Sequence, residues 1–346
     1  MTAISWAWDA LRKPLASWIA RFAVAAGLIA LLAVFVDFPA AIEALGEVSP
    51  LLFLAALAVA LAAWLVNTLK WRLLLQPLDP GPSLLRLYQW NLRAIFYSQF
   101  LPGMLAGEAV KGYRLYRETR AATPVIVSIA ADRLTGLVAL APLGGLALIR
   151  SPDLRGEELY IGLIGGFGLL MPVLLLALCT PMALGWTRGL KRYPLLAGLA
   201  RQGGELIQPY QGRYPLLAAA LLLATAFHTL NVLVLYVLSR ESGVGVSFVD
   251  LLWVYAALAL VRLMPISLGN LGTREASLVL LLKPLGVPSE AALTLGLLVL
   301  GVHLAMALLG GGLELKAAIW PPAAGVAPQG TLIAQSEGIQ GWSRDA

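Results

Sequence analysis

The sequence predicts an all-α, polytopic integral membrane protein with about six full spans and two re-entrant broken-helix hairpins, arranged as an inverted-topology repeat. Three observations lead there. Hydrophobic residues make up 59% of the 346 and charged residues only 13%, too little polar surface to coat a water-soluble fold of this size. Apolar runs long enough to cross about 30 Å of hydrocarbon recur almost from end to end. Lysine and arginine concentrate in alternate connections between those runs, as cytoplasmic loops do.

Residues 1–14, with Trp6, Trp8, Arg12 and Lys13, form an N-terminal segment expected in the cytoplasm. The run 15–36 lacks a small-residue cleavage site and is read as a retained first span. Connection 37–50 carries Asp37, Glu43 and Glu47 without a basic residue and belongs outside; span 51–69 follows. Residues 70–120 are basic, from Lys70 and Arg72 to Arg117 and Arg120, yet enclose the apolar stretch 87–105, broken at Pro102-Gly103. Both flanks being cytoplasmic, that stretch must enter and return on one side. Spans 124–149 and 159–179 lead to the basic connection 181–213, again inside. Span 214–239 then ends outside, so the second broken region, 248–282, enters from outside and 291–313 returns the chain to the cytoplasm. Two spans, a hairpin and a crossing thus occur once in each orientation, over about 15–149 and about 159–313, within one membrane domain spanning 15–313. Residues 314–346 are expected to form a flexible tail, and the plasma (inner) membrane is the expected location.

The formal charge of +6 lies in the connections, where orientation accounts for it, and no nucleic-acid partner is expected. With one cysteine, Cys179, and two histidines, His228 and His303, in separate apolar runs, the chain offers no zinc or haem constellation; those histidines are read as helix packing, with Asn231 as an interhelical partner. Neither a Walker loop nor a Gly-x-Ser-x-Gly elbow is present. No metal, cofactor or catalytic residue is therefore expected.

Three clusters of charge sit where lipid makes charge expensive. In the first, Gln99 precedes the break, and Glu108, Lys111 and Arg114 follow it at spacings of three, with Glu108 expected to pair with Lys111 and Arg114 to hold a phosphate. A cytoplasmic amphipathic helix touching anionic headgroups is the competing reading. In the second, Asp132-Arg133 lie about eight residues into the run 124–149; adjacent residues diverge by about 100° around a helix, so each needs its own partner. Alternatively the helix starts later and both charges sit at the interface. In the third, Arg262 precedes the break at Pro265, and Gly269, Asn270, Gly272 and Thr273 lead into Arg274-Glu275, with Thr273 as the expected N-cap. A solvated extracellular turn is the alternative there.

The motifs Phe100-Leu101-Pro102-Gly103, Gly107-Glu108-Ala109-Val110-Lys111 with Tyr113-Arg114, Asp132-Arg133 with Gly136, and Pro265-Ile266-Ser267 with Gly269, Gly272 and Arg274-Glu275 resemble the flippase-like transmembrane family. That is the membrane domain of lysylphosphatidylglycerol synthases and of stand-alone relatives. The resemblance covers most of 15–313 and implies lipid translocation, with the two broken hairpins meeting around a headgroup near mid-membrane. Glu108-Ala109 stands where the family more often carries Asp-Val. No aminoacyl-transfer domain follows residue 313, so synthesis of a lysyl-lipid is not expected.

The combined expectation is a lipid flippase or lipid transporter, not an enzyme, binding an anionic phosphate headgroup through Arg114, Arg133 and Arg274. Glu108, Asp132 and Glu275 are expected as counter-charges and Lys111, Arg262, Asn270 and Gln99 as further site residues. Its partners would be that lipid and either a second copy or a lipid-modifying enzyme. The alternatives are an intramembrane enzyme or glycosyl-transfer accessory acting on a polyprenyl-phosphate lipid, and a membrane scaffold subunit.

Overall fold

The structure, a computed structural model, describes residues 46, 48–78, 81–100, 106–150, 208–262 and 272–319. The expected spans 15–36 and 159–179, the N-terminal segment, the two break segments with Pro102-Gly103 and Pro265 to Asn270, and the tail beyond 319 lie outside these residues. Within them the chain is helical, with no strand.

Helix α1, Pro50–Leu75, starts with proline in its first turn, where the missing amide costs nothing. It runs past the expected span end at 69, which places Lys70 inside a helix rather than a loop. Helices α2, Leu84–Phe100, and α3, Ala106–Thr119, flank the first break and pack on each other. Their approach depends on Gly107, where a Cβ would stand 2.5 Å from Ala94 O and overlap Ser98 Oγ. Helix α4 is Ala122–Arg150 and α5 is Tyr214–Glu241, the latter preceded by a 3-10 turn, Gln208–Tyr210.

The second broken region gives α6, Phe248–Val261, and α7, Thr273–Leu282. Ser247 caps α6, its Oγ accepting from Asp250 N at 3.1 Å. Residues Leu251 to Leu258 are all buried, as expected for a helix apolar on every side. The N-cap of α7 is Gly272, not Thr273 as expected: φ there is +76°, which a β-branched residue resists, and the Glu275 carboxylate accepts from Gly272 N at 2.8 Å. Helix α8, Ser289–Ile319, continues past the expected end at 313.

Helices α1, α5, α8 and the segment Ala122–Gly144 of α4 are long and apolar enough to cross a membrane; α6 is apolar but shorter. The start of α1 meets the end of α5, Ser49 N donating to Glu241 Oε2 at 2.8 Å. At the other end Tyr210 Oη donates to Leu74 O at 2.8 Å, so the pair is antiparallel. Burial raises the Tyr210 phenol above its ordinary pKa, and the Asp132 carboxylate adds to that. Around this pair the packing is reciprocal. Helix α2 lies on α8 and α6 on α4; α3 packs on α4 and α7 on α8; α1 touches α4 and α8, and so does α5.

Candidate functional site

The residues that flank both breaks line one cavity of about 150 Å³. From the first hairpin come Asn91, Ser98 and Gln99 at the end of α2 and Gly107, Glu108 and Lys111 at the start of α3; from the second come Arg262 after α6 and Arg274 in α7. Arg133 of α4, Trp64 of α1 and His303 of α8 complete the wall.

One side is an alternating chain of charge. Lys70 Nζ lies 3.1 Å from Asp132 Oδ1, Lys111 Nζ lies 3.4 Å from Asp132 Oδ2 and 2.8 Å from Glu108 Oε2, and Arg133 Nη2 donates to Glu108 Oε1 at 3.0 Å. Lys70 also donates to Asp132 O at 3.0 Å. The chain is deepest at Lys70 and Lys111, each 3% exposed, and opens towards Arg133, 38% exposed. Each carboxylate stands between two cations, which offsets the cost of holding its charge away from water. Lys111 Nζ also lies 4.7 Å from the Trp71 ring centre, a cation–π contact.

The other side behaves differently. Arg274 is buried and closes on its neighbour, its Nε and Nη2 donating to Glu275 Oε1 at 3.0 and 2.7 Å. Gly296 of α8 leaves room for that carboxylate, since a Cβ there would sit 3.3 Å from Glu275 Cγ. Arg262 carries a buried Nε without a hydrogen-bond partner among the described residues. Two neutral groups add polarity. Thr68 Oγ1 donates to Trp64 O at 2.7 Å and accepts from Asn91 Nδ2 at 2.9 Å, which fixes the amide's orientation and leaves Asn91 Oδ1 buried and unpaired among the described residues. His303 Nδ1 is engaged with Val299 O at 2.8 Å.

Of the expected residues, Gln99, Glu108, Lys111, Arg133, Arg262 and Arg274 meet at the cavity; Asp132 and Glu275 stand one layer behind as counter-charges; Asn270 lies outside the described residues. Arg114 does not reach the cavity. It pairs with Glu314 of α8, and Arg93 Nη2 beside it donates to Leu313 O at 3.1 Å. Spacings of three lag a full turn by about 60° each, so two steps carry Arg114 off the face of Glu108. Glu314 therefore belongs to a helix clamp, although residues from 314 onward were expected to be tail.

Sequence reasoning took Lys70 only as an orientation signal, because a hydropathy window stops at a charge. The signal that could have found it is the apolar run that resumes after it, Trp71 and Leu73 to Leu75, interrupted only by Arg72. His228, expected as packing, bridges three helices, its ring nitrogens 3.0 Å from Gly136 O and 3.1 Å from Tyr255 Oη. Asn231 instead donates to Phe227 O within its own helix, at 2.8 Å. Among the described residues no group of three His, Cys, Asp or Glu is placed to hold a metal.

Spanning helices packed around an internal charged cavity define a multi-pass helical membrane protein. The chain belongs to the family of the lysylphosphatidylglycerol synthase transmembrane region, which it matches over residues 18–311. It is similar to a UPF0104 membrane protein of Methanothermobacter thermautotrophicus, 25% identical over 312 residues covering 82% of this chain and 88% of the relative. No solved structure matches it significantly.

Proposed function

We propose that the protein is a lipid flippase or lipid transporter, carrying a phospholipid or another anionic phosphate-bearing lipid between leaflets with its headgroup in the basic cavity. The observation that carries this reading is the cavity wall itself, where Lys111, Arg133, Arg262 and Arg274 outnumber the single lining carboxylate, Glu108. Arginine forks match phosphate oxygens, and membrane-embedded charge of this density marks a substrate path. A cavity of about 150 Å³ is well below the roughly 300–1,000 Å³ of pockets that enclose whole drug-sized molecules. On this reading only the headgroup enters and the acyl chains stay in lipid.

Membership of a family described by a lysylphosphatidylglycerol synthase supports a phospholipid context. The reciprocal packing supports an inverted repeat whose two hairpins are re-entrant and approach the headgroup from opposite sides. We assign the chain no covalent step. A second copy or a lipid-modifying enzyme that supplies or consumes the lipid is the partner this reading calls for.

The test is leaflet-specific lipid movement in proteoliposomes. Arg133→Ala, Arg262→Ala and Arg274→Ala are each expected to lower the rate about tenfold or more, the loss of one charge-assisted contact. Unchanged rates in all three would remove the cavity from the path.

A further inference from the structure

We infer that the site selects a doubly charged phosphate, a terminal monoester or a pyrophosphate, over the singly charged diester of ordinary phospholipids. The inference rests on the transport reading and deepens it.

The charge balance around the cavity points there. Lys70, Asp132, Lys111, Glu108 and Arg133 alternate in sign and both ends are cations, so among the described residues this run carries one positive charge in excess. Arg274 is neutralised by Glu275 at 2.7 Å. Arg262 has neither a hydrogen bond for its buried Nε nor an ion pair among the described residues, and it supplies a second excess charge. The break segments 101–105 and 263–271 contain no aspartate or glutamate, so neither offers a counter-charge. Both surplus cations, Arg133 and Arg262, line the same small cavity, one from α4 and one from the end of α6.

A surplus of two in a lipid-embedded interior is unfavourable until an anion enters, and a monoanion leaves half of it standing. Geometry agrees with charge. A diester offers two free oxygens that share one charge, whereas a terminal phosphate offers three, enough for two guanidinium forks at once. Arg133 spends one nitrogen on Glu108 and keeps the rest of its fork, with 38% of the side chain exposed.

The experiment compares two lipids with identical acyl chains and a single fluorescent label. The full chain is reconstituted in phosphatidylcholine vesicles holding a trace of either phosphatidic acid, a terminal monoester, or phosphatidylglycerol, a diester, with protein-free vesicles as the baseline. Phosphatidic acid is expected to cross about tenfold faster, as one additional charge-assisted contact would give. Arg262→Gln is expected to bring that ratio to about one and Arg262→Lys to retain most of it. Should Arg262→Gln fail to fold, Arg133→Gln removes the other surplus charge and is expected to erase the ratio in the same way.

Equal or faster movement of phosphatidylglycerol by the unaltered chain would overturn the selection for a dianion and leave lipid transport standing. If neither lipid moves and native mass spectrometry finds neither retained, the transport reading itself falls. Uptake of radiolabelled inorganic phosphate without movement of either lipid would assign the site to a soluble anion and overturn the lipid source.

Discussion

Asp132 shows how a single buried carboxylate organises its surroundings. It is 7% exposed and held by Lys70 and Lys111 from two other helices. Removing one member of such a group strands the other's charge, whereas removing both leaves an apolar gap. Asp132→Leu leaves Lys70 without an anion among the described residues and is therefore expected to destabilise the protein by about 3–5 kcal/mol, and Lys70→Met with Asp132→Leu to recover most of that, because Lys111 keeps Glu108. Thermal unfolding in detergent reads the order of the two; a double variant less stable than the single would refute the account. At this scale the sequence made charge legible and, apart from the Glu108–Lys111 pair one turn apart, left pairing illegible. Glu108, Lys111, Arg133, Arg262 and Arg274 declared themselves as ions at depth, and the separate partners of Asp132 and Arg133 followed from helix geometry. The partners' identities did not, since Lys70 and Glu314 come from parts of the chain where a charge needs no explanation.

Among elements, α2 and α8 approach closely where α8 carries glycine. Three glycines, Gly310 to Gly312, lie on α8 beside Leu92, Arg93 and Phe96; a Cβ at Gly310 would overlap Leu92 O, and one at Gly311 would stand 2.9 Å from Phe96 Cε2. Small residues of this kind let membrane helices meet backbone to backbone. Gly310→Val is expected to cost about 1–3 kcal/mol through forced separation of the helices. At Gly312 nothing lies within 4 Å, and Gly312→Ala is expected to be neutral or to stabilise by about 0.5–1 kcal/mol. Equal effects at the two positions, measured as melting temperature, would show that helix contact is not what Gly310 provides. Hydropathy and proline placement revealed α2, α6 and α7 as short pieces beside breaks, because those signals are local, whereas the polar helix α3 begins only after the apolar stretch 87–105 that was expected to hold the first hairpin. Which helix each hairpin lies on was not legible, since it depends on surfaces far apart in the chain, 220 residues in the case of Arg93 and Leu313.

At the scale of the molecule, exchanging α1 with α5, α2 with α6, α3 with α7 and α4 with α8 turns every packing pair given above for the described helices into another such pair. On the proposed inverted-repeat reading, with α1 and α5 antiparallel, the open ends of the two hairpins are expected at opposite faces. In a Cys179→Ala background, Gly245→Cys is expected to react with an impermeant maleimide from outside the cell and Arg117→Cys only after permeabilisation, both positions being exposed. Labelling of both from one side would refute the opposed arrangement. Loop charge alone is what suggests that opposition in the sequence, and it says nothing of the crosswise docking of α2 on α8 and of α6 on α4. That docking also sets an order in time. The contacts among Lys70, Glu108, Lys111, Asp132 and Arg133 can close once α4 is made. The seat of the first hairpin is α8, and Leu313 lies 220 residues after Arg93. At about 5–20 residues per second of synthesis, Arg93 and Arg114 wait on the order of ten to forty seconds for Leu313 and Glu314. Throughout that interval the ribosome is still adding the second half, and the first hairpin must be kept by water, headgroups or a chaperone until its berth arrives.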